Sequence, residues 1–250
     1  MPTKQVNLGG FVLHGEDRAG QWITEGIDGW YEPPSSRGES VERPNSHGEY
    51  LMPEYYAART VAVDGILFHK NRGLAVEAFE RLAAAAKQTQ QKFSVTDAGM
   101  TRWSNVRYAG LDFTQLTAGT WRFQLRLKAV DPFKYGSSEA FSVASGSSSF
   151  VHHRGTVDAW PVVTVTGSMP DGYTLSYRSQ SVSVPMGLPS GVTHRIDFKN
   201  RRLYVNGDVF FGAFGSTGFR PVPPGPRTTF GLSCPSGSGT AVVSVTDTYI

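Results

Sequence analysis

Cysteine is nearly missing from this chain: Cys234 is the only one in 250 residues. No disulfide can close within the chain, and folding in a reducing cytoplasm is the expectation. No apolar run approaches the ~18 residues of a membrane-spanning helix, so no such span is expected. The opening MPTKQVNLGG has no cationic stretch followed by an apolar one, so no secretory leader is expected. Charge is scarce as well. Charged residues make up 18% and the net charge is +3, too little by itself to indicate nucleic-acid binding. Residues 1–143 hold 16 Lys and Arg against 16 Asp and Glu, and residues 144–250 hold 8 against 5. The whole excess lies in the second half, thinly spread.

Motifs of catalysis are missing too. There is no Gly-x-Ser-x-Gly for a nucleophile elbow and no Gly-Lys-Ser/Thr for a phosphate loop. GSTG at 215–218 lies among Pro and Gly with no helix behind it, and reads as a turn. His152 and His153 adjoin, yet neighbouring strand positions point to opposite faces and no Cys or His stands at ligand spacing. They read as a solvated pair in a linker. No two carboxylates are singled out as an acid/base pair. The chain is therefore expected to have no catalytic residues, no metal and no cofactor, and to be no enzyme.

What is abundant is turn chemistry: 28 Gly and 15 Pro, with much Ser and aromatic residue. This favours short strands joined by turns. VNLGGFVLHG and GQWITEGIDGW read as opening strands. A long non-periodic stretch follows, Tyr31 to about Glu54, with four Pro and many charges; such loops are functional or disordered. YYAARTVAVDGILFH reads as a strand with Ala57, Arg59, Val61 and Val63 on one face. Asn71 can cap a single helix carrying Leu74, Ala78, Phe79 and Leu82 on one stripe. Strands are expected near 92–97, 101–113 and 120–130.

In TWRFQLRLKA, Trp121, Phe123, Leu125, Leu127 and Ala129 alternate with Arg122, Gln124, Arg126 and Lys128. One face is apolar and the other cationic. The cationic face suits either solvent or the acidic surface of a neighbouring subunit. The long loop offers Glu39, Glu42, Glu49 and Glu54 as acidic counterparts, so these four and Arg122, Arg126 and Lys128 are the candidate subunit-interface residues.

The Ser- and Gly-rich 136–149 reads as the join between domains 1–140 and 141–250. Beyond it AWPVVTVTG, YTLSYRS, QSVSVP, THRIDFKN, RRLYVNGDVFF, RTTFGLS and TAVVSVTDTYI recur at short spacing. Asn206-Gly207 between apolar strands is a strong hairpin signal. The fold class is mainly β with one helix (α+β), ending in a β-sandwich. Tyr173, Tyr177 and Tyr204 could stack sugars, although strand aromatics more often pack. A carbohydrate-binding module on a scaffold domain is thus the alternative reading, and a hydrolase with an unrecognised site a weaker third.

The order of motifs resembles the distal tail (Dit) protein family of long-tailed, siphovirus-type bacteriophages. The resemblance rests on ITEGIDGWY at 23–31, the loop RPNSHGEYLMPEY, ARTVAVDGIL before the single helix, the strand ending in DPFKYG, and GTVDAWPVVTVTG opening the second half. It covers nearly the whole chain. It implies a first domain that resembles tail-tube proteins, a split β-barrel or sheet with one helix, and a galectin-like sandwich as the second. It implies a ring, a hexamer, in the virion at the tail tip, made in the host cytoplasm. Its partners would be the tail tube protein, tail-associated tip or baseplate proteins and receptor-binding proteins, with DNA passing through the lumen. The His-Asn-Pro-Arg and Trp-Gly-x-Glu runs of true galectins are both missing.

Overall fold

The alternation in TWRFQLRLKA holds residue by residue. In the computed structural model, which describes residues 4–38, 40–50, 52–86 and 90–250, Trp121, Phe123, Leu125, Leu127 and Ala129 are buried while Arg122, Arg126 and Lys128 are exposed. This strand belongs to the first of two units, residues 1–134 together with Ile250; the second is 135–249.

The first unit runs β1 (Gln5–Leu8), β2 (Phe11–Glu16), β3 (Gly20–Asp28), then four two-residue strands, β4 (Ser36–Arg37), β5 (Val41–Glu42), β6 (Glu49–Tyr50) and β7 (Tyr55–Tyr56). It continues with β8 (Arg59–His69), α1 (Arg72–Ala86), β9 (Gln91–Asp97), β10 (Met100–Thr117) and β11 (Thr120–Ala129). The order β11-β8-β3-β2-β1-β9-β10, with β10 pairing back onto β11, closes a seven-stranded barrel. Closure leaves none of its strands with an unpaired edge.

The helix begins where Asn71 predicts. Its Oδ1 accepts from the N–H groups of Gly73, at 2.8 Å, and Leu74, at 3.4 Å. Ala75, Ala78, Phe79 and Leu82 then face the barrel core. Trp22 is the hub of that core, edge-on to Phe79 at 5.5 Å and to Phe123 at 5.3 Å. Each fully buried ring of this size contributes roughly 1.5–3 kcal/mol against exposure.

The stretch expected as an irregular loop forms a hairpin arm. β4 pairs with β7 and, further out, β5 pairs with β6, and all four strands are exposed. Non-periodic sequence hid these ladders because neither face of the arm is buried within the chain.

The second unit carries β12 (Lys134–Ala144, whose first residue belongs to the first unit), β13 (Ser147–Val151), β14 (Val162–Ser168), β15 (Tyr173–Tyr177), β16 (Gln180–Val184), β17 (His194–Asp197), β18 (Arg202–Val205), β19 (Asp208–Phe210), β20 (Ser216–Thr217), β21 (Thr228–Ser233) and β22 (Ser238–Tyr249). One sheet has the order β12-β22-β14-β17-β18-β19 and the other β13-β21-β15-β16-β20. Val163, Val165, Ile196 and Val243 from the first meet Leu175, Val182, Phe230 and Leu232 from the second in one core, the plan of a β-sandwich.

The expected linker 136–149 is a correction. It forms β12 and β13, and Val143 is a core residue. Ser137 Oγ donates to Asp247 Oδ2 and Ser138 Oγ to the Val245 carbonyl, so the serines that suggested a linker bind β22. The units divide after Lys134, not after 140, because β12 runs through the expected boundary. His153 is a second correction. It is buried, with Nε2 3.1 Å from the Val222 carbonyl and Nδ1 accepting from the Gly155 N–H.

Candidate assembly site on the first unit

The outer face of β11 is less uniformly cationic than its sequence suggests. Its strands' register decides what each cation meets. Arg126 lies diagonally across from Asp112 on β10, and its Nη2 donates to Asp112 Oδ2 at 2.6 Å. Both side chains are about half exposed or more, so the pair is worth roughly 0–1 kcal/mol. Gly110 makes room for it: a Cβ there would meet Arg126 Nε at 3.0 Å. Gln124 donates to Asp64 Oδ1 on β8 at 2.8 Å. Arg126, one of the three outward cations, is therefore already paired within its own chain.

Lys128 differs. It stands directly opposite Arg107 of β10 on one side and Thr60 of β8 on the other. Arg122 sits between Thr114 and Ile66. Among the described residues, no carboxylate comes within ion-pair distance of Arg107, Arg122 or Lys128. Like charges directly across a ladder repel. Arg107 escaped sequence reasoning because only the register of β10 on β11 brings it to Lys128.

The arm shows the same situation with the opposite sign. Glu42 and Glu49 are directly opposed on β5 and β6, and Val41 faces Tyr50. The Arg43 guanidinium lies over the Tyr50 ring at 5.5 Å. Glu54 is exposed further down the arm. No ion pair among the described residues involves Glu42, Glu49 or Glu54. The structure therefore brings Glu42 to Glu49 but joins neither to the cations of β11. Glu39 lies outside the described residues.

The base of the arm is held by a device built around Arg59. This side chain is 1% exposed. Its Nη1 donates to the carbonyls of Gly29 at 2.7 Å, Trp30 at 3.3 Å and Glu32 at 2.6 Å, and its Nε to that of Pro132 at 2.9 Å. Arg59 opens β8 just after the arm, and Gly29 to Glu32 lie just before it. One guanidinium thus ties the two ends of the arm together. Burial pushes its pKa down, and the Glu32 charge opposes that. Lys134 joins from the far end of the unit, donating to the Trp30 carbonyl at 2.9 Å. Burial first, then repulsion from Arg59 and Arg102, pushes Lys134 down to about 8. Next to it the Tyr31 hydroxyl donates to Asp97 Oδ2 at 2.9 Å, and burial together with that carboxylate pushes Tyr31 up to about 12. The sequence did hold a signal: Arg59 shares the apolar face of Val61 and Val63, where a cation survives only if backbone carbonyls receive it.

In the second unit, Tyr173 and Tyr177 are core residues. The Tyr173 hydroxyl lies 3.1 Å from His194 Nδ1, and that of Tyr177 donates to the Pro221 carbonyl at 2.7 Å. Burial raises the pKa of both tyrosines. Neither is placed to stack a sugar. Among the described residues, no three His, Cys, Asp or Glu side chains gather as a metal would need, and no helix is long and apolar enough to cross a membrane.

No protein-family profile matches the chain, and no curated protein matches it by sequence. Solved structures do. The crystal structure of the Dit protein of phage SPP1, described as a paradigm of hub adsorption apparatus in phages infecting Gram-positive hosts, superposes with a TM-score of 0.79 at 17% identity, covering 99% of this chain and 100% of that one. One chain of the structure of the phage P2 baseplate in its activated conformation, solved with Ca and with Sr, matches with a TM-score of 0.54 at 6% identity, covering 96% of this chain and 98% of that one. The resemblance carried by the order of motifs therefore holds at the level of architecture, and over 99% of its length the chain matches the fold of a phage Dit protein.

Proposed function

We propose that the protein is a structural component of a bacteriophage tail tip, assembled as a ring of identical subunits, a hexamer, with the barrel unit forming the ring. The ring would join the tail tube protein to tail-tip, baseplate and receptor-binding proteins and leave a lumen for DNA, in a virion built in the host cytoplasm. The second unit, residues 135–249, would be a galectin-like sandwich available to those partners. The observation that carries this reading is the end-to-end likeness to the SPP1 Dit protein, a hub of an adsorption apparatus by its description. A structural rather than catalytic role goes with it.

The geometry adds a rule for how neighbours would meet. A ring needs a heterologous contact, one patch on each subunit meeting a different patch on the next. The chain carries an unneutralised cationic pair, Arg107 and Lys128, on the barrel, and an unneutralised acidic pair, Glu42 and Glu49, on a solvent-exposed arm. A two-stranded hairpin is marginal in water by itself, so an arm with Tyr50, Met52, Tyr55 and Tyr56 exposed fits burial against a neighbour. Arg122 and Glu54 extend the two patches.

The test is light scattering with negative-stain microscopy of the purified chain, alone and mixed with its tail tube protein. Closed rings of six subunits are expected. A monomer at every concentration in both samples would overturn the proposal. Turnover of a glycan or ester lost on changing a single residue would overturn the non-enzymatic part.

A further inference from the structure

The outer face of the second unit's larger sheet carries one row of side chains in strict register. Val242, Thr164, Arg195, Tyr204 and Val209 follow one another across β22, β14, β17, β18 and β19. Three of them, Thr164, Arg195 and Tyr204, floor an open groove of about 500 Å³ rimmed by Thr193, Asn206 and Gly207. That volume falls within the range of small-ligand sites.

The groove is rich in donors and has no carboxylate. Arg195 is exposed, and its guanidinium lies 5.1 Å from the centre of the Tyr204 ring. A guanidinium stacked on an aromatic face is held in one plane with its N–H edges turned outward, which suits bidentate binding of a carboxylate or phosphate. Among the described residues, no carboxylate comes within ion-pair distance of it. Asp197, the next outward residue on β17, accepts from the Asn200 backbone N–H and side-chain amide instead. Asn206 sits at φ 49° in the hairpin turn, where its Oδ1 accepts from the Thr193 N–H at 3.0 Å. That bond fixes the carboxamide and leaves its NH2 end as a donor at the rim.

We propose that this groove binds an anionic, hydroxyl-rich polymer, a glycan or polyol chain carrying carboxylate or phosphate groups. Arg195 takes the anion, and Thr164, Thr193 and Asn206 take the hydroxyls. A neutral sugar stacked on Tyr204 is disfavoured because the guanidinium already covers that ring. The site lies within one chain, so it stands or falls apart from ring assembly.

The experiment is calorimetric titration of the full chain, at about 0.15 M salt so that loose charge attraction is screened. The titrants are oligogalacturonate, glycerol-phosphate oligomers, dextran oligomers and a hexa-aspartate peptide. Saturable binding is expected for at least one of the two anionic polymers, and which of them binds identifies the anion. Arg195→Gln should weaken it by about tenfold or more with unchanged thermal melting, and Arg195→Lys should weaken it as well because lysine lacks the fork. Dextran should not bind. The proposal is overturned by no saturable binding to either anionic polymer, by equal binding of dextran, or by an Arg195→Gln affinity equal to wild type. Hexa-aspartate binding as tightly as the polymers would also overturn it, and would assign the groove to an acidic peptide.

Discussion

Glu42 and Glu49 face each other directly across the outer ladder of the arm, two carboxylates with no cation in ion-pair range among the described residues. Arg107 and Lys128 repeat the arrangement with opposite sign on the barrel wall. Each pair costs its own subunit a few tenths of a kcal/mol. A partner surface of the other sign would relieve each, and salt would screen it.

Assembly should respond to these pairs while the fold does not. Replacing Arg107, Arg122 and Lys128 by Gln should leave the melting of an isolated subunit within about 0.5 kcal/mol of wild type, or slightly above it as the repulsion is removed. Ring formation should weaken, and added salt should weaken it in the wild type too. Arg126→Gln alone should have little effect, because Arg126 is already bound to Asp112. Sedimentation of wild type and variants at low and high salt reads all of this. Equal ring fractions throughout would assign the strand face to water.

Arg59→Met should be among the most damaging single changes in the first unit. It strands the carbonyls of Gly29, Trp30, Glu32 and Pro132 in a buried setting. A loss of about 3 kcal/mol or more is expected in urea unfolding. Arg59→Lys should rescue little, since a single ammonium cannot reach both Pro132 and the Gly29–Glu32 turn. A loss below about 1 kcal/mol would show that the clamp is incidental.

Stability should rise with pH through the Lys134 window. Its pKa is lowered from 10.5 to about 8 in the folded chain, so between these values the unfolded chain binds more protons. Below about 8 both states are charged and the term is constant. Above it the folded state is increasingly favoured, by on the order of 3 kcal/mol in full. Tyrosines with raised pKa values oppose this above about pH 10, so urea midpoints should be compared between about pH 7 and 9.5. Wild type should gain and Lys134→Met should stay flat; parallel curves would remove Lys134 as the cause.

A fragment beginning at Tyr135 should fold alone, whereas one beginning at Ser147 should not fold cooperatively. The second lacks β12, and with it Val143 and the Ser137 and Ser138 bonds to β22. Urea unfolding of both fragments decides. Equal cooperativity would make β12 dispensable.

Legibility of the sequence tracked locality. β11 was readable because its period of two is written in ten consecutive residues, and α1 because Asn71 and its apolar stripe are neighbours in the chain. Asn206-Gly207 marked its hairpin for the same reason. The barrel's closure was not readable, since β1 meeting β9, β3 meeting β8 and β8 meeting β11 are matters of register between distant segments. β12 was hidden by its own exposure: only Lys134 and Val143 of the strand are buried, so Ser and Gly serve there as well as Val would. The arm acids were chosen by composition, yet their opposition depends on the β5–β6 register. Arg59 was visible as a misfit on an apolar face, but its carbonyl partners were not.

The closed barrel also bears on how far such a protein can drift over generations. Each inward position asks for an apolar residue of roughly suitable volume, and each outward one for almost anything soluble. Because no strand edge of the barrel is left to guard, few positions are spent on preventing sheets from joining. A wall of this kind is compatible with low sequence identity, as the 17% identity and TM-score of 0.79 to the SPP1 Dit structure illustrate. On such a wall the outward positions can change their surface chemistry without reopening the barrel.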